Sequence, residues 1–235
     1  LFMKNLVVER FSEFYEKWVV KLEEIQRQLL EISKKKTEVT MNEQELKALV
    51  SKVTAHVKEY YTVKWGAAHE DVLVFFTPTW LTPLENAHLW VTGWKPSTVF
   101  HILEDPKGEF NMTEEQKKKI LGELRVRIRM EEEKVEREME RQQVAMADLK
   151  MVELAKLSCR AKKDDGRVDG MVGVALNGVF AGLEKVMKTS DCARLKSLKG
   201  VLDILSPIQC VDFLAAHIGM QLWLRQLGMK MITIG

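Results

Sequence analysis

Phe11, Tyr15, Trp18, Leu22, Ile25, Leu29 and Ile32 alternate steps of four and three, which places all seven on one stripe of a long amphipathic helix. That stripe requires a partner surface. Lys34, Lys35 and Lys36 put cations at the negative end of this helix, and Thr40 with Glu43 predicts a capping box for the next. Leu46, Leu49 or Val50, Val53, Val57 and Tyr60 or Tyr61 form the inward face of that second helix, and Gly66 is its expected break. Asp71 to Phe76 is short, apolar and partly β-branched, so periodicity alone leaves it open between strand and buried helix; its helical surroundings favour helix.

Asp105-Pro106-Lys107-Gly108 reads as a loop. Thr113 with Gln116 caps the longest expected helix, which runs to about Ser158 along a stripe of Leu121, Leu124, Ile128, Val135, Met139, Met146 and Leu149. Glu131 and Gln142 interrupt the stripe and argue against a regular coiled coil. The alternating charges from Glu131 to Arg141 read as a solvated face. Lys162-Lys163-Asp164-Asp165-Gly166 is the expected connection to the last third. Beyond it, Val168 to Lys188 reads as a helix despite Gly170, Gly173, Gly178 and Gly182, which close approach of a neighbouring helix would explain. Asp191 to Leu205 predicts another helix. Ser206, Pro207 and Gln209 combine cap, proline start and capping-box acceptor for the last one. Its inward face is Ile208, Val211, Ala215, Ile218 and Leu222, and Gly228 is its expected stop. The fold class is therefore all-α: residues 1–235 as a single, bundle-like helical domain of long amphipathic helices.

Composition changes this picture little. The 235 residues are 46% hydrophobic and 30% charged, enough for a substantial core, and the net charge of +2 excludes the strong basic bias of a dedicated nucleic-acid binder. Direct nucleic-acid binding is not expected. Cys159, Cys192 and Cys210 are odd in number and widely spaced, which fits reduced thiols better than a disulfide framework. No apolar run reaches the roughly 18 to 20 residues of a membrane span, so any membrane association is expected to be peripheral.

Catalytic motifs are missing: no Gly-Lys-Ser/Thr phosphate loop, no Gly-x-Gly-x-x-Gly, no His-Glu-x-x-His and no Gly-x-Ser-x-Gly. The chain is expected not to be an enzyme. His56, His69, His88, His101 and His217 fall on separate elements without metal-ligand spacing, so structural roles are expected and no metal site. Lys117, Lys118, Lys119, Arg125, Arg127 and Arg129 surround the start of the long helix. Lys117, Lys118, Lys119, Arg125 and Arg129 are candidate contacts to an anionic membrane, against the simpler reading that they are solvated.

The densest signal lies between Trp80 and Ser97, which holds three of the six tryptophans. Thr82 caps a helix with Pro83 at its first position and Glu85 completing a capping box. Leu84, Ala87, His88 and Val91 then share a helical face, Gly93 ends the element, and Pro96 starts another. Trp80, Leu84, Glu85, Ala87, Leu89, Trp90, Gly93, Trp94, Pro96 and Ser97 together resemble the signature of the plant Delay of Germination domain, shared with the C-terminal part of the TGA leucine-zipper transcription factors. Phe14-Tyr15-x-x-Trp18, His56-x-x-x-Tyr60-Tyr61 with Asp71-Val72, and Leu205-Ser206-Pro207-Ile208-Gln209-Cys210 extend the resemblance over nearly the whole chain. Thr92 departs from it, standing where many members carry a second glycine, which leaves the local turn geometry open.

The resemblance implies a non-enzymatic plant regulator working through protein–protein contacts. Trp18, Trp80, Trp90 and Trp94 are then core residues or the border of an interaction groove. Without a basic region before a regular heptad in these residues, the match is to the stand-alone members, and within them to a pollen aperture factor. The expected role is to mark microspore plasma-membrane domains where exine is not deposited, from the cytoplasm and the peripheral plasma membrane. Expected partners are other proteins of the aperture domain, such as a kinase or a second aperture factor, and a second copy in a homodimer. The alternative is a nuclear regulator of seed dormancy or transcription. No cofactor is expected; the family adds haem, with His217 as the one axial candidate, and an acyl lipid as possible ligands.

Overall fold

The computed structural model describes residues 2–34, 42–105, 110–160 and 166–234. Among them the structure is all-α, and the only β-type pairing is an isolated bridge between Trp90 and Gly93. Lys35, Lys36, Thr40, Pro106, Lys107, Gly108 and the segment 162–165 lie outside the described residues.

Helix α1 (Phe2–Lys34) buries the predicted stripe, with Phe11, Tyr15, Leu22, Ile25 and Leu29 in the core and Trp18 and Ile32 packed at its edge. Helix α2 (Glu43–Glu70) returns antiparallel to it, since Arg10 pairs with Glu70 and Lys52 reaches Gln28. Asn42 is the cap of α2, accepting from the Gln44 amide at 3.0 Å, so Glu43 opens the helix instead of closing a box begun at Thr40. Gly66 does not break α2. The flanking Lys64, Trp65 and Ala68 are packed into the fold, and that packing outweighs the roughly 1 kcal/mol propensity cost of one exposed glycine. Leu73–Phe75 is a single 3₁₀ turn, helical as expected.

Two short helices carry the tryptophan segment, α3 (Pro83–Ala87) and α4 (Thr98–Glu104). A rod follows, made of α5 (Glu114–Lys117), a π-helical stretch Lys118–Leu124 and α6 (Arg125–Met146). The π stretch adds a residue to its turn, so the buried position ahead of Leu124 is Ile120, fully buried, and Leu121 is only half-buried. The rod does not continue to Ser158. It ends in a tightened turn at Ala147, with Ala145, Met146 and Ala147 exposed and no packing to hold the helix straight; α7 (Leu149–Arg160) restarts beyond it.

The last third holds two long helices. Helix α8 (Gly166–Leu202) is continuous where two helices were expected. Ser190, at the expected junction, turns its hydroxyl back onto the Met187 carbonyl at 2.7 Å, and Thr189 bonds the Lys185 carbonyl. The continuous helix also changes the membrane expectation, because Gly170–Leu202 is long and apolar enough to cross a bilayer by length and composition. Only 17% of its most apolar window is buried, while its later turns carry the fully buried Asp191 and Arg194. Of the four early glycines, Gly182 alone meets a neighbour: a Cβ there would lie 2.1 Å from Gln142 Oε1, whereas Gly170, Gly173 and Gly178 face open space.

Helix α9 (Pro207–Ile234) is the centre of the bundle, packed by α1, α2, α3 and α4. Val211, Ala215, Ile218 and Leu222 are buried and Ile208 half-buried as predicted, while Phe213, Leu214 and His217 bury further sides of the helix. Ser33 to Asp212 (2.7 Å) and Arg225 to Glu16 fix α9 antiparallel to α1. Gly228 is not its stop. It sits mid-helix where a Cβ would lie 2.1 Å from Thr82 Oγ1, so it lets α9 pass against the capping box of α3.

Candidate functional site: the tryptophan segment and its buried charges

Thr82 is held at the start of α3 by the predicted reciprocal box: its amide donates to Glu85 Oε2 at 2.7 Å, and the Glu85 amide donates to Thr82 Oγ1 at 3.2 Å. Arg225 of α9 reinforces that end. It donates to the Trp80 carbonyl (3.2 Å), lies 3.5 Å from Glu85 Oε2, pairs with Glu16 (2.5 Å) and stacks over the Tyr15 ring at 5.1 Å. Burial pushes the Tyr15 phenol well above its usual range, so it stays neutral. Trp80 fills the core between Phe11 and Phe75, with ring centroids 4.7 and 5.4 Å away.

Helix α3 ends at Ala87, so Gly93 belongs to a separate tight turn. Trp90 and Gly93 exchange backbone bonds across it, and the residue in the left-handed region is Val91, at φ 60°. Such a φ is unusual for a β-branched residue and stores strain of about 1–3 kcal/mol. Something must hold the turn. Arg194 of α8 does so with two donors, Nε to the Trp94 carbonyl (2.6 Å) and Nη2 to the Trp90 carbonyl (2.6 Å), while its Nη1 donates to Asp191 Oδ1 (2.5 Å). Gly93 lies against the same guanidinium, where a Cβ would sit 2.9 Å from Cζ. The glycine is there because arginine occupies the space of its side chain.

Asp191 also accepts from Lys64 Nζ (2.8 Å) and from Trp65 Nε1 (3.0 Å), which ties α2 to α8. Lys64 is completed by Thr92 Oγ1 (2.9 Å) and the Thr92 carbonyl (3.1 Å). Thr92, where the resemblance left the turn geometry open, is thus a buried ligand of this lysine and not the strained residue of the turn. Burial lowers the Lys64 pKa to about 8 against the opposing pull of Asp191. Each group in this hub is bonded to its neighbours, so the arrangement positions backbone and leaves no acid–base pair facing solvent.

Around the hub, Trp90 Nε1 and Lys95 Nζ both reach Glu136 of α6, at 2.8 and 3.1 Å. Buried Glu132 accepts the Ser97 amide at 2.6 Å and caps α4, because the Ser97 side chain makes no capping bond. Among the described residues, no group of three His, Cys, Asp or Glu side chains is placed to hold a metal ion. Cys159, Cys192 and Cys210 are free.

Comparison with known proteins adds an identity to this geometry. The family model described as "Seed dormancy control", DOG1, matches residues 21–105. Protein DOG1-like 4 of Arabidopsis thaliana is 53% identical over 226 residues, covering 96% of this chain and 95% of its own. The chain belongs to the DOG1 family. Two more distant relatives, both from Arabidopsis thaliana, are Protein RESPONSE TO ABA AND SALT 1, 27% identical over 88% of this chain and 89% of its own, and Transcription factor TGA6, 27% identical over 88% of this chain and 59% of its own.

Most of the residues that carry the resemblance lie together in the fold. Trp80, Glu85, Gly93 and Trp94 touch the buried charges directly or through one neighbour. Pro96 is buried behind the turn, and Leu84 and Leu89 are half-buried on its outer side. Trp18 sits apart, stacked on His56 at 5.1 Å with reciprocal bonds to that residue. The five basic candidates lie along the start of the rod. Lys117 and Lys119 are paired with Glu114 and Glu115, Arg125 folds onto Phe100 and Glu104, and only Lys118 and Arg129 project without such pairing among the described residues. His217 is buried between Trp94 and Phe213 with Nε2 2.9 Å from Gln221 Nε2. Burial pushes its pKa down to about 4. With Phe213 stacked on its ring and Trp94 set edge-on to it, and with a neighbouring cavity of only ≈ 160 Å³, His217 does not fit the axial ligand of a haem. Lys64, Asp191, Arg194 and Arg225 were missed at the sequence level, because buried and solvated charges look alike there.

Proposed function

We propose that this DOG1-family protein is a non-enzymatic regulatory scaffold that assembles protein partners in pollen aperture formation. The observation that carries the non-enzymatic part is the hub: Lys64, Asp191 and Arg194 are saturated by bonds that shape the Trp90–Trp94 turn. What remains for partners is surface. Val152 and Leu157 of α7 and Met171, Val174 and Leu176 of α8 are exposed apolar residues, and Gly170 to Leu183 carries no charged residue. The aperture role rests on the likeness of the Phe14-Tyr15-x-x-Trp18, Trp80–Glu85 and Ser206–Leu214 segments to the pollen aperture factor. On this reading the protein works at the cytoplasmic side of the microspore plasma membrane, with other aperture proteins and a second copy of itself, and holds membrane and wall together where exine is excluded.

A second reading, control of seed dormancy, is favoured by the description of the matching family model. Plants lacking the protein separate the two. Pollen without apertures and seeds of ordinary dormancy are the expected result; normal apertures with shallow dormancy would move the assignment to the second reading.

A further inference from the structure

A cavity of ≈ 160 Å³ lies between α1, α2, α3 and α9, walled mainly by aromatic and aliphatic side chains including Trp18, Val57, Tyr60, Tyr61, Trp94 and Ile218. It is neither sealed nor a flat surface, and its lining runs from fully buried Asp191 to exposed His88 at the end of α3. For scale, an apolar cavity of about 150 Å³ in another protein accepts benzene. The volume therefore suits one or two rings and not a long acyl chain. The cations along the wall are already matched, Lys64 by Asp191 and Arg225 by Glu16 and Glu85, so the cavity offers no unpaired charge to an ionic ligand.

One buried polar atom of a lining residue, His217 Nδ1, is unmatched among the described residues. With Gln221 donating to Nε2 of the neutral His217 ring, the proton lies on Nδ1, and that buried N–H has no partner among the described residues. Buried donors are rarely left so. We infer that this cavity is a binding site for a planar, uncharged aromatic molecule of one or two rings that carries a hydrogen-bond acceptor. The rings stack among Trp18, Tyr60 and Trp94, and the acceptor serves His217.

Titration calorimetry of the purified full chain with indole-3-carbaldehyde tests this, using indole and indole-3-carboxylate as controls. The expected result is saturable one-to-one binding of the aldehyde, at least about tenfold tighter than indole, which lacks the acceptor, and than the anion. Val57→Phe fills the cavity from α2 and is expected to abolish binding while the thermal midpoint is kept or raised. Leu89→Trp narrows the rim and serves the same end should Val57→Phe fail to fold. His217→Phe is expected to keep indole binding and lose the preference for the aldehyde. No binding of any ring compound, binding unchanged in the filled variants, or preference for palmitate over all three probes would overturn the inference.

Discussion

Replacing Gly93 by alanine would push a methyl group to 2.9 Å from the Arg194 guanidinium carbon, in a place where neither can easily retreat. Overpacking of this kind costs about 1–3 kcal/mol, and the expected result for Gly93→Ala is a loss of that size in chemical denaturation. Arg194→Met removes both carbonyl contacts of the turn and leaves Asp191 with Lys64 as its remaining cation, an expected loss of about 3–5 kcal/mol. His217 sets an acid limit. Its folded pKa of about 4 lies below the ordinary 6.5, so between these values the unfolded chain binds a proton that the folded chain refuses. Stability is then full above pH 6.5 and falls as pH drops toward 4, by up to about 3 kcal/mol from this residue. Thermal midpoints measured across that window should show the slope, and His217→Phe should flatten it. At this scale the sequence was half legible. Gly93 and its tryptophans stand out in one short segment, but Arg194 is 100 residues away from the Trp94 carbonyl it holds, and no local pattern marks it.

Elements were most legible where a cap and a periodic stripe agreed. Thr82 with Glu85, Thr113 with Gln116 and Ser206 with Gln209 all cap as their spacing predicts. Boundaries failed where tertiary contacts outweighed local signals: Gly66 and Gly228 stay inside helices, and the Ser190 hydroxyl bonds backward and keeps α8 continuous. The glycines of α8 therefore separate into two kinds. Gly170, Gly173 and Gly178 face open space, so alanine at all three should raise the thermal midpoint, with up to about 1 kcal/mol gained at each. Gly182→Ala should lower it, because its methyl group meets Gln142. Calorimetric scans of the two variants side by side check both signs. The opposite outcome for the triple variant would mean that a partner surface already closes over this face.

Over the whole molecule, charge and apolar surface are distributed in a way that suits a scaffold. Buried and partly buried ions hold α2, α8, α9 and the tryptophan turn to one another, while the early turns of α8, Gly170 to Leu183, expose a stretch without charge. The all-α class and the DOG1 family were readable from the chain because the tryptophan segment and the amphipathic stripes are local features. Cavities and buried ion networks were not, since they arise from residues that only packing brings together. The direct test of the scaffold account is live imaging of the fluorescently fused, intact chain in microspores at the tetrad stage. The account predicts discrete lines or spots at the plasma membrane that foreshadow the thin-wall sites. A nuclear or uniformly cytosolic signal from the intact fusion would contradict it.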